Sequence, residues 1–419
     1  MATTECGAPQ GPLVGYRVLE LCSTIAGPAC TRLLADFGAE VIKVEPADGD
    51  PVRDMAAYDG DTSLYGATIF RNKRLTSINI KTEAGRTLLL ALVEQCDVMV
   101  ENFRPGTLER LGLGYDVLSA ANPRLVLVRI SGYGQTGPMA PKPGYGAICE
   151  AFAGLRHLIG EPDRAPSRVA VPITDYVTAV YAAFGAVMAL LDTARTGQGQ
   201  VVDAALYEAA FSMMEATVPA YQRTGEVPMR AGSRLPGAAP NNLYRTSEGA
   251  YLLLGANNDA IFARLAEAMD RPELIDDPRY ATVLARGQNA EAVDDIVQQW
   301  VGSLDVKEAL AKLEAAAVPS SLVNTLTELF ENEHFRSRDM LLDVPHPDLG
   351  SVTVAGIVPK LSRTPGGVYR LGGTVGENTA DVLRDLLGKD EASIASLEQS
   401  GAIACAPSRL PATAKAFVA

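Results

Sequence analysis

Residue types suited to nucleophilic or metal chemistry are sparse in this sequence. The three histidines, His157, His334 and His346, stand far apart, and the six cysteines, Cys6, Cys22, Cys30, Cys96, Cys149 and Cys405, form no C-x-x-C pair. That distribution suggests neither a zinc site nor a disulfide framework, and the cysteines read as reduced, mostly buried thiols. The G-x-S-x-G turn of serine hydrolases is absent. The one turn suited to a dinucleotide reads Ile25-Ala-Gly-Pro-Ala, with Glu45 about twenty residues beyond Gly27, and it lacks the second glycine that lets a backbone approach a pyrophosphate. The chemistry therefore rests on other groups. Asp175 heads a long apolar run, and its local reading is an N-cap for a helix starting at Tyr176.

The elements that must position such groups alternate. A strand at 17–21, a turn, a helix over 30–37 and a strand at 39–44 make a βαβ unit. Pro28 suits a first helical turn and Gly38 a left-handed helix end. Strands follow at 76–80, 97–101 and 125–130, separated by helices over 84–94 and near Leu108. This is the pattern of a parallel sheet, whose ligands bind beyond the carboxyl ends of the strands, at residues 23–28, 102–106 and 131–138. A long apolar helix closed by Gly197 and a strand at 201–205 extend the same domain.

Composition shifts at residues 230–240, rich in Gly, Pro and Ala, a linker or mobile loop. Beyond it lie a strand at 250–254 and helices over 261–269, 290–301 and 306–316, the smaller α+β domain. The tail resumes with a strand at 351–354, a helix over 379–387 and an Ala-rich end expected to fray. The expected fold class is α/β, with a large Rossmann-like domain over 1–225, a small domain over 226–335 and a C-terminal part over 336–419 returning to the large domain. A length of 419 residues fits two cores better than one.

Hydrophobic residues make up 47% and charged residues 21% of the chain, the balance of a globular enzyme. With 37 basic and 50 acidic residues, net −13, nucleic acid and anionic membrane are disfavoured as partners, and an acidic ligand needs local basic patches. No apolar run reaches the roughly 18 residues of a membrane span, and the start lacks a signal-peptide pattern, so a cytoplasmic location is expected.

Several motifs stand in one order: Val18-Leu-Glu-Leu, Ala26-Gly-Pro-Ala, Gly38-Ala-Glu-Val-Ile-Lys-Val-Glu, Asn72-Lys-Arg, Val100-Glu-Asn-Phe-Arg-Pro-Gly, Ser131-Gly-Tyr-Gly-Gln-Thr-Gly-Pro, Thr174-Asp175 and Gly197-Gln-Gly-Gln. Together they resemble family III CoA-transferases, also called the CaiB/BaiF family, over nearly the whole chain. The resemblance implies an interlocked homodimer of subunits with a large Rossmann-like and a small domain. It implies that Asp175 is the nucleophile, forming an acyl anhydride and then an aspartyl-CoA thioester, with no permanently bound cofactor and with CoA thioesters and small carboxylic acids as substrates. It places Thr24, Ile25 and Ala26 along the CoA chain, Lys73, Arg74, Asn102, Phe103 and Arg110 around the nucleotide, and Tyr145 near the thioester. The consecutive glycines that form a lid in some members are missing, which leaves backbone N–H groups at 232–239 as candidate oxyanion donors.

The related α-methylacyl-CoA racemases use a histidine and an aspartate, and here Gly144-Tyr-Gly stands where that histidine belongs, so one base is lost. A CoA-binding sensor would not need Asp175. The segments 131–138, 255–258 and 271–276 look most like the branch using succinyl-CoA and dicarboxylates such as citramalate, itaconate, mesaconate or hydroxymethylglutarate. A dicarboxylate needs a cation for its distal carboxylate, and Arg53, Arg104 and Arg234 remain open for that role. A CoA shift between the two carboxylates of one substrate is the other alternative.

Overall fold

The computed structural model describes residues 8–55 and 57–406. Cys6 and the Ala-rich end from residue 407 lie outside them. The chain divides into two units: one comprises the described residues up to Leu155, Ala170–Glu215 and the chain from His334 on, and the other comprises Arg156–Val169 and Ala216–Glu333. The division differs from the sequence expectation at two places. The smaller unit begins near residue 216 rather than 226, and it also takes in residues 156–169.

The larger unit is built on six parallel strands: β1 (Arg17–Leu21), β2 (Glu40–Glu45), β3 (Lys73–Ile78), β4 (Val98–Glu101), β5 (Val126–Ser131) and β6 (Val201–Ala205). Their spatial order is β3-β2-β1-β4-β5-β6, with the short strand Ile403–Ala404 added antiparallel beside β3. This is the doubly wound order, whose direction of winding reverses between β1 and β4. The strands read as continuous apolar runs because both faces are covered. Successive residues feed opposite layers: Val18, Val41 and Val126 join one core, while Leu19, Ile42 and Leu127 join the other.

The first layer holds the helices α1 (Ala26–Asp36), α2 (Gly146–Phe152) and α3 (Ile173–Thr196). On α3, Ala179, Ala182, Ala183, Ala186 and Ala189 are buried, a stripe at helical spacing that lets the helix lie close to α1 and the sheet. Among the described residues α3 is the one helix long and apolar enough to cross a membrane by length and composition, with a mean hydropathy of 1.6. Its alanine stripe, packed in the core, accounts for that composition. Gly197, at φ 76°, ends it in the left-handed cap expected. The second layer includes the helices Glu83–Val93 and Thr379–Leu387, so the returning tail completes this core.

The smaller unit has a three-stranded antiparallel sheet in the order Ser320–Leu322, Tyr251–Gly255, Asn241–Arg245. The helices Asp259–Ala268, Ala290–Gly302 and Val306–Ala315 pack on it through Phe262, Leu265, Val297 and Leu313. Residues 156–169 join by long-range bonds: Gly232 N donates to Gly160 O at 3.0 Å and Arg230 Nη1 to His157 O at 3.0 Å.

Candidate active site

The turns that leave β1 and β4 meet at the point where the sheet reverses its winding. Asn102 links them from both ends of its amide: Ser23 N donates to its Oδ1 at 2.9 Å, and its Nδ2 donates to Ser23 O at 2.8 Å. Thr24 adopts φ +69°, a conformation costly for a β-branched residue. Its N–H donates to Asp50 Oδ1 at 2.9 Å, which ties the turn to the start of the next segment.

Below this turn lies a buried ion network. Lys43 Nζ donates to Asp50 at 2.8 Å, to Glu20 at 3.0 Å and to Cys22 O at 2.9 Å. Lys73 Nζ donates to the other oxygen of Glu20 at 2.8 Å, to Pro28 O at 2.7 Å and to Thr31 Oγ1 at 2.8 Å. Burial alone would push the Glu20 carboxyl up, but the two ammonium groups outweigh it and bring it down to about 2. The network fixes where α1 begins by holding the Cys22 and Pro28 carbonyls.

Above the turn opens a cleft of about 190 Å³, lined by residues 23–26, 102–105, 130–132 and 142–145 together with Asp175 and Leu206. Asp175 is the third residue of α3, which starts at Ile173 after Pro172. Asp175 is thus not the N-cap expected from the local sequence, and its carboxylate sits in the first turn, where the helix dipole favours negative charge. Gly146, the first residue of α2, makes room for it: a Cβ there would lie 2.0 Å from Asp175 Oδ2. Burial and the Asp175 charge push the nearby Cys149 thiol up to about 11, so at neutral pH it is protonated, and it donates to Gly132 O at 3.2 Å. Burial, the Tyr176 hydroxyl at 3.0 Å and the Asp175 charge likewise push the Tyr65 hydroxyl up.

The cleft brings together Asp175, Thr24, Ile25, Ala26, Asn102, Phe103 and Tyr145, seven of the residues singled out in the sequence. It does not bring in Lys73, Arg74 or Arg110. Lys73 and Arg74 begin β3, opposite Val41 and Ile42, whereas the cleft lies past the strands' carboxyl ends. Lys73 is 1% exposed and committed to Glu20, which corrects its expected place at a nucleotide phosphate. Arg74 is held between Glu40 at 2.8 Å and Asp385 at 2.7 Å. Arg110 is exposed and donates to Thr107 Oγ1 at 2.8 Å. The expected lid segment at 232–239 belongs to the smaller unit.

Two cations escaped the sequence reading. Lys142 lines the cleft, and Lys81 lines a second cavity of about 610 Å³ that shares Ser23 and Phe103 with it and extends past the ends of β2 and β3. Lys81 follows a strand end, as ligand-binding turns do, and that position was a usable signal.

A doubly wound α/β sheet with a carboxylate in a cleft at its reversal point places the candidate site where proteins of this fold class bind their ligands. The model of CoA-transferase family III matches residues 13–379, and the chain belongs to that family. It is 44% identical to the succinyl-CoA–D-citramalate CoA-transferase of Chloroflexus aurantiacus, over 93% of this chain and 98% of that protein. It is 38% identical to the alpha subunit of the succinyl-CoA–L-malate CoA-transferase of the same organism, over 92% and 91% of the two chains. A crystal structure of a CaiB/BaiF family protein from Brucella suis superposes with a TM-score of 0.79 at 32% identity, covering 90% of this chain and all of that one. The protein is a CoA-transferase, and CoA thioesters are its substrates.

Proposed function

We propose that this enzyme moves CoA from succinyl-CoA to a dicarboxylic acid of four to six carbons, citramalate or malate before others, with Asp175 as covalent carrier. The observation that carries this reading is the placement of Asp175 inside the cleft at the sheet's reversal point, in the first turn of a helix and against the bare backbone of Gly146. The two Chloroflexus relatives support the choice of donor and acceptor.

In the proposed sequence an Asp175 oxygen attacks the thioester carbonyl and expels CoA thiolate, leaving an anhydride between Asp175 and the succinyl group. The thiolate attacks the Asp175 carbonyl, succinate leaves with one of the original Asp175 oxygens, and CoA is held as a thioester. The acceptor carboxylate then attacks that carbonyl and releases the thiolate. The thiolate attacks the acceptor's carbonyl in the second anhydride, giving the new acyl-CoA and restoring Asp175 with an oxygen from the acceptor. Each tetrahedral oxyanion needs donors. The N–H groups of Ser23 and Thr24 are already bonded, so we assign the role to those of Ile25 and Ala26, where α1 starts without a side-chain cap. The second cavity is assigned to the nucleotide end of CoA, with Lys81 as a phosphate contact and Phe103 between the two spaces.

No histidine lines the cleft, so racemisation between two bases finds no second base there. We also propose a homodimer. Phe184 and Leu191, 59% and 69% exposed, lie on the outer face of α3, in an apolar groove of about 520 Å³ with Leu13, Tyr16 and Val358. The function is tested by incubating the enzyme with succinyl-CoA and separate C4 to C6 acids and identifying the acyl-CoA products by mass spectrometry. New acyl-CoA from a dicarboxylate, absent with Asp175→Ala, is expected. No new product from any acid would contradict the substrate assignment.

A further inference from the structure

Of the three arginines that remained open for an acceptor's distal carboxylate, two are committed elsewhere. Arg53 forms a two-bonded pair with Glu45, at 2.7 Å through both Nε and Nη2, and its Nη1 donates to Gly373 O at 2.8 Å. Arg234 lies in the smaller unit, its Nε 2.6 Å from Asp294 Oδ2. Arg104 lines the Asp175 cleft, is exposed, and its guanidinium meets no hydrogen-bonding or ion-pair partner among the described residues.

The backbone that carries Arg104 is fixed. Asn102 before it is locked to Ser23, and Phe103 N donates to Glu101 Oε2 at 2.7 Å. Arg104 O accepts from Thr107 N at 3.0 Å, across a turn in which Gly106 takes φ 81°. Glu101 is buried and its other oxygen accepts from Arg129 Nε at 2.7 Å, so this carboxylate is occupied and does not draw Arg104 away from the cleft. The remaining cation of the cleft, Lys142, is a point charge on a flexible stem, whereas a guanidinium offers two parallel N–H donors that match a carboxylate.

We propose that Arg104 binds the distal carboxylate of the acid being exchanged at Asp175, and so sets the preference for dicarboxylic acids; this rests on the reading of the protein as a dicarboxylate CoA-transferase. Donor and acceptor acids occupy the cleft in turn, so one guanidinium serves both halves of the reaction. An acid with an uncharged tail would desolvate Arg104 without pairing it, and the enzyme would reject it by that difference.

The test measures kcat and KM for glutarate and for valerate, five-carbon acids with and without a second carboxylate, in wild type, Arg104→Gln, Arg104→Lys and Lys142→Gln, with thermal midpoints as a check on folding. The preference for glutarate over valerate in kcat/KM is expected to fall about 100-fold in Arg104→Gln, to recover in part in Arg104→Lys and to hold in Lys142→Gln. An equal loss for both acids in Arg104→Gln would place Arg104 on CoA rather than on the acid and overturn the proposal, as would an unchanged preference. Absence of transfer to every dicarboxylate by wild type would instead overturn the parent reading of the substrate.

Discussion

At Gly146 the missing side chain decides where the Asp175 carboxylate, the proposed nucleophile, rests. A methyl group there would meet Asp175 Oδ2 at 2.0 Å, so Gly146→Ala must turn the carboxylate away or shift the start of α2. We expect Gly146→Ala to lower kcat by about 100-fold, because a displacement of about 1 Å at a reacting group costs on that order. Steady-state kinetics with a melting curve will separate this from unfolding. The residue scale is also where the sequence misled most. Lys73 has the charge of a phosphate ligand, yet burial is a property of the whole core, and the residue balances Glu20 instead. Asp175 has the type and place of a helix cap, but α3 begins two residues earlier at Ile173. Lys142 and Lys81 drew no reading from the sequence, because nothing local relates them to the other strand-end loops that line the two cavities with them.

Among the elements, the β1 turn and α1 depend on the Glu20 network. The folded carboxyl titrates at about 2, against 4.5 for the free group, so the stability it gives is complete above about 4.5 and is lost as pH falls from there through 2. Unfolding followed from pH 6 to pH 2 is expected to show this loss, with Glu20→Gln reducing the slope in that window. At pH 7 the same variant leaves the ammonium groups of Lys43 and Lys73 short of charge, and denaturant titration should show a loss of about 3–5 kcal/mol. The elements themselves were legible where periodicity was unambiguous: the apolar strands, the helix near 379–387 and the glycine ends of α1 and α3 follow from local patterns. Their spatial order was not, because pairing β1 with β4 brings together residues about eighty apart that no local pattern relates.

In the whole molecule, the chain from His334 on belongs to the larger unit, and residues 156–169 belong to the smaller one. That placement rests on hydrogen bonds from the Arg230 side chain and the Gly232 backbone, which leave no trace in composition. The homodimer proposed above would cover the exposed apolar face of α3 with a second copy of the chain. Sedimentation is expected to give twice the mass of one chain for the wild type and a single-chain mass for the Phe184→Glu, Leu191→Glu double variant. A wild type sedimenting as one chain would refute the homodimer. The central claim is that CoA is carried on Asp175. Its most direct test is to mix the enzyme with succinyl-CoA without acceptor, quench with hydroxylamine and map the modified peptide by mass spectrometry. The account requires the hydroxamate at Asp175, formed from its CoA thioester. An unmodified Asp175 in an enzyme that transfers CoA once an acceptor is added would contradict it.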